Sequence, residues 1–150
     1  MRSARRERGE TLVEFAFASV VFFMIVFGTF EFGLAVWHYN LVANLSQEGA
    51  RWASVRGSTS NASPVADTSS VTSYVTGRAL GMNLTQVTLT CGVPGGSLSA
   101  CDCGSGSGAV TCIPGNMVQV NIQTTFTPGT ALIPNGMLTL RSAAQMLITR

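Results

Sequence analysis

The first third of the chain is dominated by one long apolar segment. Residues 15–30 (FAFASVVFFMIVFGTF) carry no formal charge. At about 1.5 Å per residue, a helix over residues 12–30 would be about 27 Å long, close to the thickness of a bilayer's hydrocarbon core. The pattern predicts a membrane-spanning helix. We place the span at about residues 12–37, because Trp37 is typical of a headgroup boundary.

A helical pattern continues beyond the apolar segment. A helical stripe recurs every three or four residues, at Leu34, Trp37, Leu41, Leu45, Glu48/Gly49, Trp52 and Val55. Gly57, which follows Arg56, is typical of a helix end. We expect one helix over residues 10–56, about 70 Å long. Its first half would lie in lipid and its second half would carry an exported head.

A polar linker and a second, shorter helix are expected next. Residues 57–66 are rich in Ser and Asn and contain a helix-breaking Pro. Asp67 or Thr68 can cap a short helix. The pattern places Leu80 on the apolar side of that helix and Gly81 at its end.

Beyond this helix the apolar period changes from near four to two, which indicates half-buried strands. Alternating segments lie at 85–91 and 118–126, and a third strand is suggested within 137–149. The predicted class is therefore α+β, with a head over residues 67–150 that contains a short helix and a three-stranded antiparallel sheet.

The four cysteines all lie in the predicted head, between residues 91 and 112, in a loop rich in Gly and Ser. Export places them in an oxidising compartment, where disulfides form. A bond between Cys101 and Cys103 would strain a very short loop. We therefore expect Cys91 and Cys112 each to pair with one of these two, in either combination. The alternative, a zinc site, is disfavoured because the usual C-x₂₋₄-C pairs are absent.

Charge is concentrated at the N-terminus. Arg2, Arg5, Arg6 and Arg8 precede the apolar segment, and only Glu7 opposes them. By the positive-inside rule, this end stays in the cytoplasm and the head lies outside. The rest of the chain is slightly acidic, so no nucleic-acid footprint is expected. A cleaved secretory signal is the alternative, but the apolar segment exceeds the usual length and no small-x-small cleavage site follows it.

Enzymatic residues are scarce, and neither a cofactor nor a metal is expected. The only histidine, His38, falls at the predicted membrane boundary, so a Ser-His-Asp or Cys-His arrangement is not supported. The glycine-rich GSGSG at 104–108 lacks the Lys of a phosphate-binding loop. We expect a protein that acts without catalysis.

Glu14 is unusual because a carboxylate at the edge of a bilayer is costly and usually functional or paired. One interpretation is that Glu14 simply lies among lipid headgroups. The other depends on Gly9: cleavage after Gly9 would place a new α-amino group on Glu10, four residues before Glu14. Positions four apart share a helix face, so that ammonium could neutralise a Glu14 carboxylate in the same or a neighbouring subunit.

These residues carry a resemblance to a known family. Gly9 through Phe15 (GETLVEF) resembles the class III processing site of type IV pilin-like proteins, and residues 13–33 and 44–57 resemble the TadE family of minor pseudopilins in Tad (tight adherence) pilus systems. The similarity is strong over residues 9–57 and loose over 65–150. The cysteine-bearing segment 91–112 is not part of it.

The resemblance implies a pilin-like fold, with residues 1–9 as a leader that a prepilin peptidase removes after Gly9. Glu14, followed by Phe15, would take the place of the glutamate used in subunit packing. The implied function is pilus assembly, adhesion and biofilm formation at the bacterial inner membrane, with other pilins and the Tad machinery as partners. The alternative is a permanently anchored envelope protein that binds a ligand through its 92–115 loop.

A second carboxylate, Glu31, interrupts the apolar pattern at its far end. We expect it to face another helix or to reach the outer surface. Gly28 and Gly33 flank it, and small residues let helix backbones approach closely in membranes. The sequence therefore predicts a helix that contacts protein as well as lipid.

Overall fold

The computed structural model describes residues 3–101, 103–104, 112–129, 136 and 138–149, with side chains described from residue 10 onward. Helix α1 spans Ser3–Ser54 and helix α2 spans Thr68–Thr76. The strands are β1 (Leu84–Gly92), β2 (Ser99–Ala100), β3 (Met117–Phe126) and β4 (Leu138–Leu147). The predicted α+β class, with a long N-terminal helix and an antiparallel sheet, is confirmed.

Helix α1 is continuous through the apolar segment, and two hydroxyls in that segment are satisfied within the helix. The Ser19 hydroxyl donates to the Ala16 carbonyl at 2.8 Å, and the Thr29 hydroxyl donates to the Ile25 carbonyl at 2.8 Å. Such bonds remove the cost of a free hydroxyl in an apolar environment. The helix ends at Ser54, two residues before the position expected from the sequence.

Helix α2 begins at the predicted cap. The Asp67 carboxylate accepts from the Ser70 backbone N–H at 2.7 Å, and the Ser70 hydroxyl accepts from the Asp67 N–H at 3.1 Å, which together make a capping box. Hydrogen bonding by Ser70, above all by its side chain, holds the pKa of Asp67 below its ordinary value. The carboxylate thus stays charged at the positive end of the helix.

The expected end of α2 was wrong. The helix stops at Thr76, with Gly77 as its C-cap. Leu80 therefore lies outside the helix, in a left-handed conformation at φ 47°, and its side chain is 77% exposed. The apolar residues Val71, Val75 and Leu80 suggested a longer helix, but only the two valines reach the core.

The sheet has four strands in the order β2-β1-β3-β4, so the predicted count of three was wrong. The additional strand, β2, pairs with the end of β1 through Thr90↔Ala100 and Cys91↔Ser99. Two residues are too few for an alternating pattern, and β2 lies in the segment that composition marked as loop. The three longer strands coincide with the predicted segments and are antiparallel to their neighbours.

One face of the sheet covers the second half of α1. Val118, Val120 and Ile122 of β3 are almost completely buried. They share a core with residues of α1 and α2, among them Val42, Leu45, Ala50, Val71 and Val75. The elements approach closely at Gly49, where a built Cβ would lie 3.1 Å from Cγ2 of Val75 and 3.2 Å from Cγ1 of Val120. Glycine at this position lets helix and sheet meet.

Candidate assembly helix and its junction with the head

The apolar part of α1 is uncovered. Phe15 and Phe17 are 73% and 72% exposed, and nothing in the apolar window of the helix is buried. In a soluble fold this surface would be a large unsatisfied apolar patch. Its length and composition are those of a membrane span. The helix is therefore a candidate membrane anchor.

The predicted packing residues divide between two faces of the anchor. At about 100° per residue, Glu14 and Gly28 point within about 40° of each other. Phe15 and Gly33 are separated by five full turns and share a second face, about 100° from the first. A Cβ added at either glycine would meet nothing within 4 Å. Glu14 is exposed, so both faces are open to a neighbouring helix or to lipid.

The predicted processing residues lie near the start of the same helix. Gly9 and Glu10 both belong to α1, and Glu10 is exposed. Of the predicted leader, residues 1–2 lie outside the described residues, and side chains are described only from Glu10 onward. Glu10 precedes Glu14 by one turn, about 6 Å along the axis. An α-amino group created on Glu10 would therefore lie near the Glu14 carboxylate.

Glu31 is placed differently from the expectation. Its side chain is only 2% exposed, although it belongs to the same long helix as the uncovered apolar segment. The covering element is the connection after β3: Oε1 of Glu31 lies 3.6 Å from the Cβ position of Gly129. The head reaches down one side of the helix as far as Glu31, while Phe32 and Trp37 on the same helix remain 72% and 52% exposed.

Aromatic side chains continue this junction one turn or more above Glu31. The His38 ring contacts the Phe126 ring edge-to-face, with centroids 5.4 Å apart, and Trp37 packs against His38 at 5.0 Å. Phe126 is the last residue of β3 and is 3% exposed. The histidine therefore has a packing role at the base of the head.

The cysteines form the pairs Cys91–Cys101 and Cys103–Cys112. This is one of the two combinations that the sequence left open. All four residues are buried, and their sulfurs lie within 4.8 Å of one another. A disulfide sulfur carries no thiolate charge, and thiolate is the form that binds zinc. In this oxidised form one disulfide ties β1 to the residue that follows β2, and the other closes the loop that precedes β3.

Sequence reasoning missed contacts that join distant segments. The Ser46 hydroxyl lies 3.0 Å from the Ser142 hydroxyl, which links α1 to β4. Ser46 is 1% exposed and looked like an ordinary polar position in a helix. Gly49 was noted within the helical stripe, but nothing in the neighbouring sequence indicates that two other elements, α2 and β3, pack against it.

Residues 9–51 match the family model described as TadE-like protein. The match covers the predicted processing residues, the apolar segment of α1 and the part of α1 that carries Gly49. The resemblance to the TadE-like family is therefore confirmed over this segment. Searches of curated proteins and of solved structures find no match to this chain.

Proposed function

We propose, from the TadE-like segment at residues 9–51, that the chain is a minor pseudopilin of a Tad-type pilus. A prepilin peptidase would cleave after Gly9, and the mature subunit would act in pilus assembly, adhesion and biofilm formation. Its action is assembly and not catalysis. The observation that carries the proposal is that the matched segment combines Gly9 and Glu14 with an uncovered apolar helix.

Electrostatics explains why cleavage would matter. Before cleavage, Glu14 lies at the edge of the apolar segment, where a lone carboxylate is costly. After cleavage, the α-amino group of Glu10 would lie on the same helix face, one turn away. The pair would lower the cost of moving the helix out of water into a bundle of subunits. Gly28, which shares the Glu14 face, would allow a neighbouring helix to approach.

Charge and cysteine chemistry support the proposed orientation. Four arginines precede the anchor, and such residues remain in the cytoplasm. The head would then lie outside the inner membrane, where the two disulfides are stable. The proposed partners are the inner membrane, the peptidase, other pilins and the Tad assembly machinery.

The proposal is tested by the mass of the mature N-terminus. The full chain is expressed with a prepilin peptidase, extracted from membranes and analysed by intact mass spectrometry. We expect loss of residues 1–9 from the wild type, retention in Gly9→Ala, and normal cleavage in Gly33→Ala, since Gly33 is a glycine of the same helix with open space around it. An intact leader on the wild type would refute processing and favour the anchored binding protein.

The role of Glu14 needs a separate test. Glu14→Gln keeps the shape but removes the charge, whereas Glu14→Asp keeps the charge. We expect both variants to be cleaved, but only Glu14→Asp to enter sheared pilus fractions at near wild-type levels. Equal incorporation of Glu14→Gln would show that the charge has no role in packing.

A further inference from the structure

The four cysteine sulfurs of the head form one compact cluster. All of them lie within 4.8 Å of one another. The sulfurs of Cys91 and Cys112, which belong to different disulfides, are 3.5 Å apart. The four side chains are between 0% and 5% exposed. Four buried sulfurs therefore converge on one point of the interior, an arrangement that neither disulfide requires by itself.

Backbone hydrogen bonds hold two of the cysteines beside the sheet. Cys91 is a residue of β1 and pairs with Val118 of β3. Cys101 follows β2, and its N–H donates to the Leu89 carbonyl of β1 at 3.3 Å. These bonds involve no sulfur atom, so they are available to the thiol form of the chain as well as to the disulfide form.

The segment between α1 and α2 holds the other two cysteines. The Cys103 N–H donates to the Ala66 carbonyl at 3.0 Å. The Cys112 carbonyl accepts from the Ser58 N–H at 3.0 Å and from the Ser58 hydroxyl at 3.1 Å. The backbone of each cysteine is thus anchored to another part of the fold, so the four thiols would lie close together before any disulfide forms.

The spacing of the sulfurs is close to that of a tetrahedral metal site. Zn–S bonds of about 2.3 Å place the four sulfurs of a zinc site about 3.8 Å apart. The Cys91 and Cys112 sulfurs already have nearly this separation, and no pair in the cluster exceeds 4.8 Å. In the thiol form, shifts of about 1 Å per sulfur would complete the tetrahedron, and small rotations about the Cα–Cβ bonds can supply them.

We propose that the thiol form of the head binds one Zn²⁺ ion through Cys91, Cys101, Cys103 and Cys112. Four protein ligands fill all the positions of a tetrahedral ion, so the site is structural and not catalytic. The metal connects the same segments that the two disulfides connect in the oxidised chain. The inference is independent of the proposed pilus function and of cleavage after Gly9.

The donor set selects the metal. Four sulfur donors favour a borderline-soft ion such as Zn²⁺ over Mg²⁺ or Ca²⁺, which prefer oxygen. An iron–sulfur cluster would need its cysteine sulfurs farther apart, because iron and sulfide atoms lie between them. The sequence lacks the usual C-x₂₋₄-C pairs, but strand pairing and the bond to Ala66 bring together cysteines that are distant along the chain.

Binding is a ligand exchange without a change of oxidation state. Each of four thiols loses its proton and forms one Zn–S bond, and four protons leave for solvent. The chain is synthesised with thiols, so the step precedes disulfide formation and needs no reductant. For an oxidised sample, a water-soluble phosphine converts each disulfide to two thiols and takes up the oxygen of one water molecule as phosphine oxide.

Cobalt titration of the full chain in detergent micelles tests the proposal. The phosphine-reduced chain is kept free of oxygen, and Co²⁺ replaces Zn²⁺ as a coloured probe. We expect the visible bands of tetrahedral cobalt and a near-ultraviolet sulfur-to-cobalt charge-transfer band, saturating at one ion per chain and lost when Zn²⁺ is added. The oxidised chain should show neither band. Absence of the bands after reduction, or equal bands from the oxidised chain, overturns the proposal.

Single substitutions identify the ligands. In the reduced chain, Cys103→Ser and Cys112→Ser should each lower the affinity for Co²⁺ by about 100-fold or more, because each ligand carries a share of the binding free energy. Ser99→Ala is the matched control, since Ser99 is an exposed residue of β2 between Cys91 and Cys101, and it should bind as the wild type does. Unchanged affinity in either cysteine variant would show that the four sulfurs do not act as one site.

Thermal melting separates a folded site from binding by an unfolded chain. A metal that binds only the folded head raises its melting temperature. With free Zn²⁺ about 1,000-fold above its Kd, the reduced head should melt about 15 °C or more above its metal-free form. Mg²⁺ should cause no such rise, and Zn²⁺ should not raise the melting temperature of the oxidised head. Zinc binding without a higher melting temperature would mean that the thiols are not gathered by the fold, which refutes the inference.

Discussion

Replacing Gly49 with valine tests the contact that joins the long helix to the head. The Cβ alone would lie 3.1 Å from a methyl group of Val75 and 3.2 Å from one of Val120. Comfortable contacts between carbons are about 3.5–4.0 Å, so even this atom requires small shifts. Valine adds two further methyl groups to the same space, between three elements that are already packed together.

The expected magnitude follows from two opposing terms. Overpacking a well-filled core costs about 1–3 kcal/mol, and valine lies at the upper end here because both neighbours are buried valines. Replacing glycine with valine in a helix raises the stability of the helix by only about 0.4 kcal/mol, because valine has the higher helix propensity. The net loss is about 2.5 kcal/mol, or roughly a 70-fold change in the unfolding constant.

Urea unfolding of the full chain in detergent micelles measures this loss. Trp52 fluorescence is a suitable probe because its indole stacks on Tyr74 across the junction of α1 and α2, and a Trp37→Phe background removes the other tryptophan. Gly33→Val is the matched control, since a Cβ there meets nothing within 4 Å. If Gly49→Val unfolded at the same urea concentration as this control, the close approach of helix and sheet would be wrong.

Two further predictions concern the head. The disulfides close segments with sequence separations of 10 and 9 residues, so each should contribute about 2.5–3 kcal/mol. Replacing either pair with serine, or adding a dithiol, should lower the melting temperature of the head, and an unchanged melt under reduction would contradict this. Asp67→Ala should cost about 1 kcal/mol at pH 7 by removing the cap of α2. Because the pKa of Asp67 is lowered in the fold, its charge-dependent stabilisation is complete above its unfolded value of about 3.9 and is lost as the pH falls through the folded value. Stability measured from pH 7 down to pH 2 should therefore show a smaller gap between wild type and Asp67→Asn at the acidic end, and a gap independent of pH would refute the assignment.

The local sequence pattern was sufficient to predict the helices and strands whose defining residues lie close together in the chain. The uncharged segment before Glu31 predicts a membrane helix, because a helix satisfies its own backbone hydrogen bonds in lipid. Asp67 caps a helix through atoms only three residues away, and strict alternation marks β1 and β3. The Gly9–Glu14 spacing, with the apolar helix behind it, was likewise sufficient to identify the TadE-like segment.

Tertiary structure decided the burial and the contacts of residues that pack against segments distant in the sequence. Glu31 is buried by a connection almost a hundred residues later, and Gly49 is required by valines from two other elements. In the sequence, Leu80 continued an apolar stripe. The helix ends before it, with Gly77 as the C-cap, and the Leu80 side chain is exposed to solvent. Periodicity reports which face of an element is apolar, but not which element covers it, because covering depends on contacts between residues far apart in the chain.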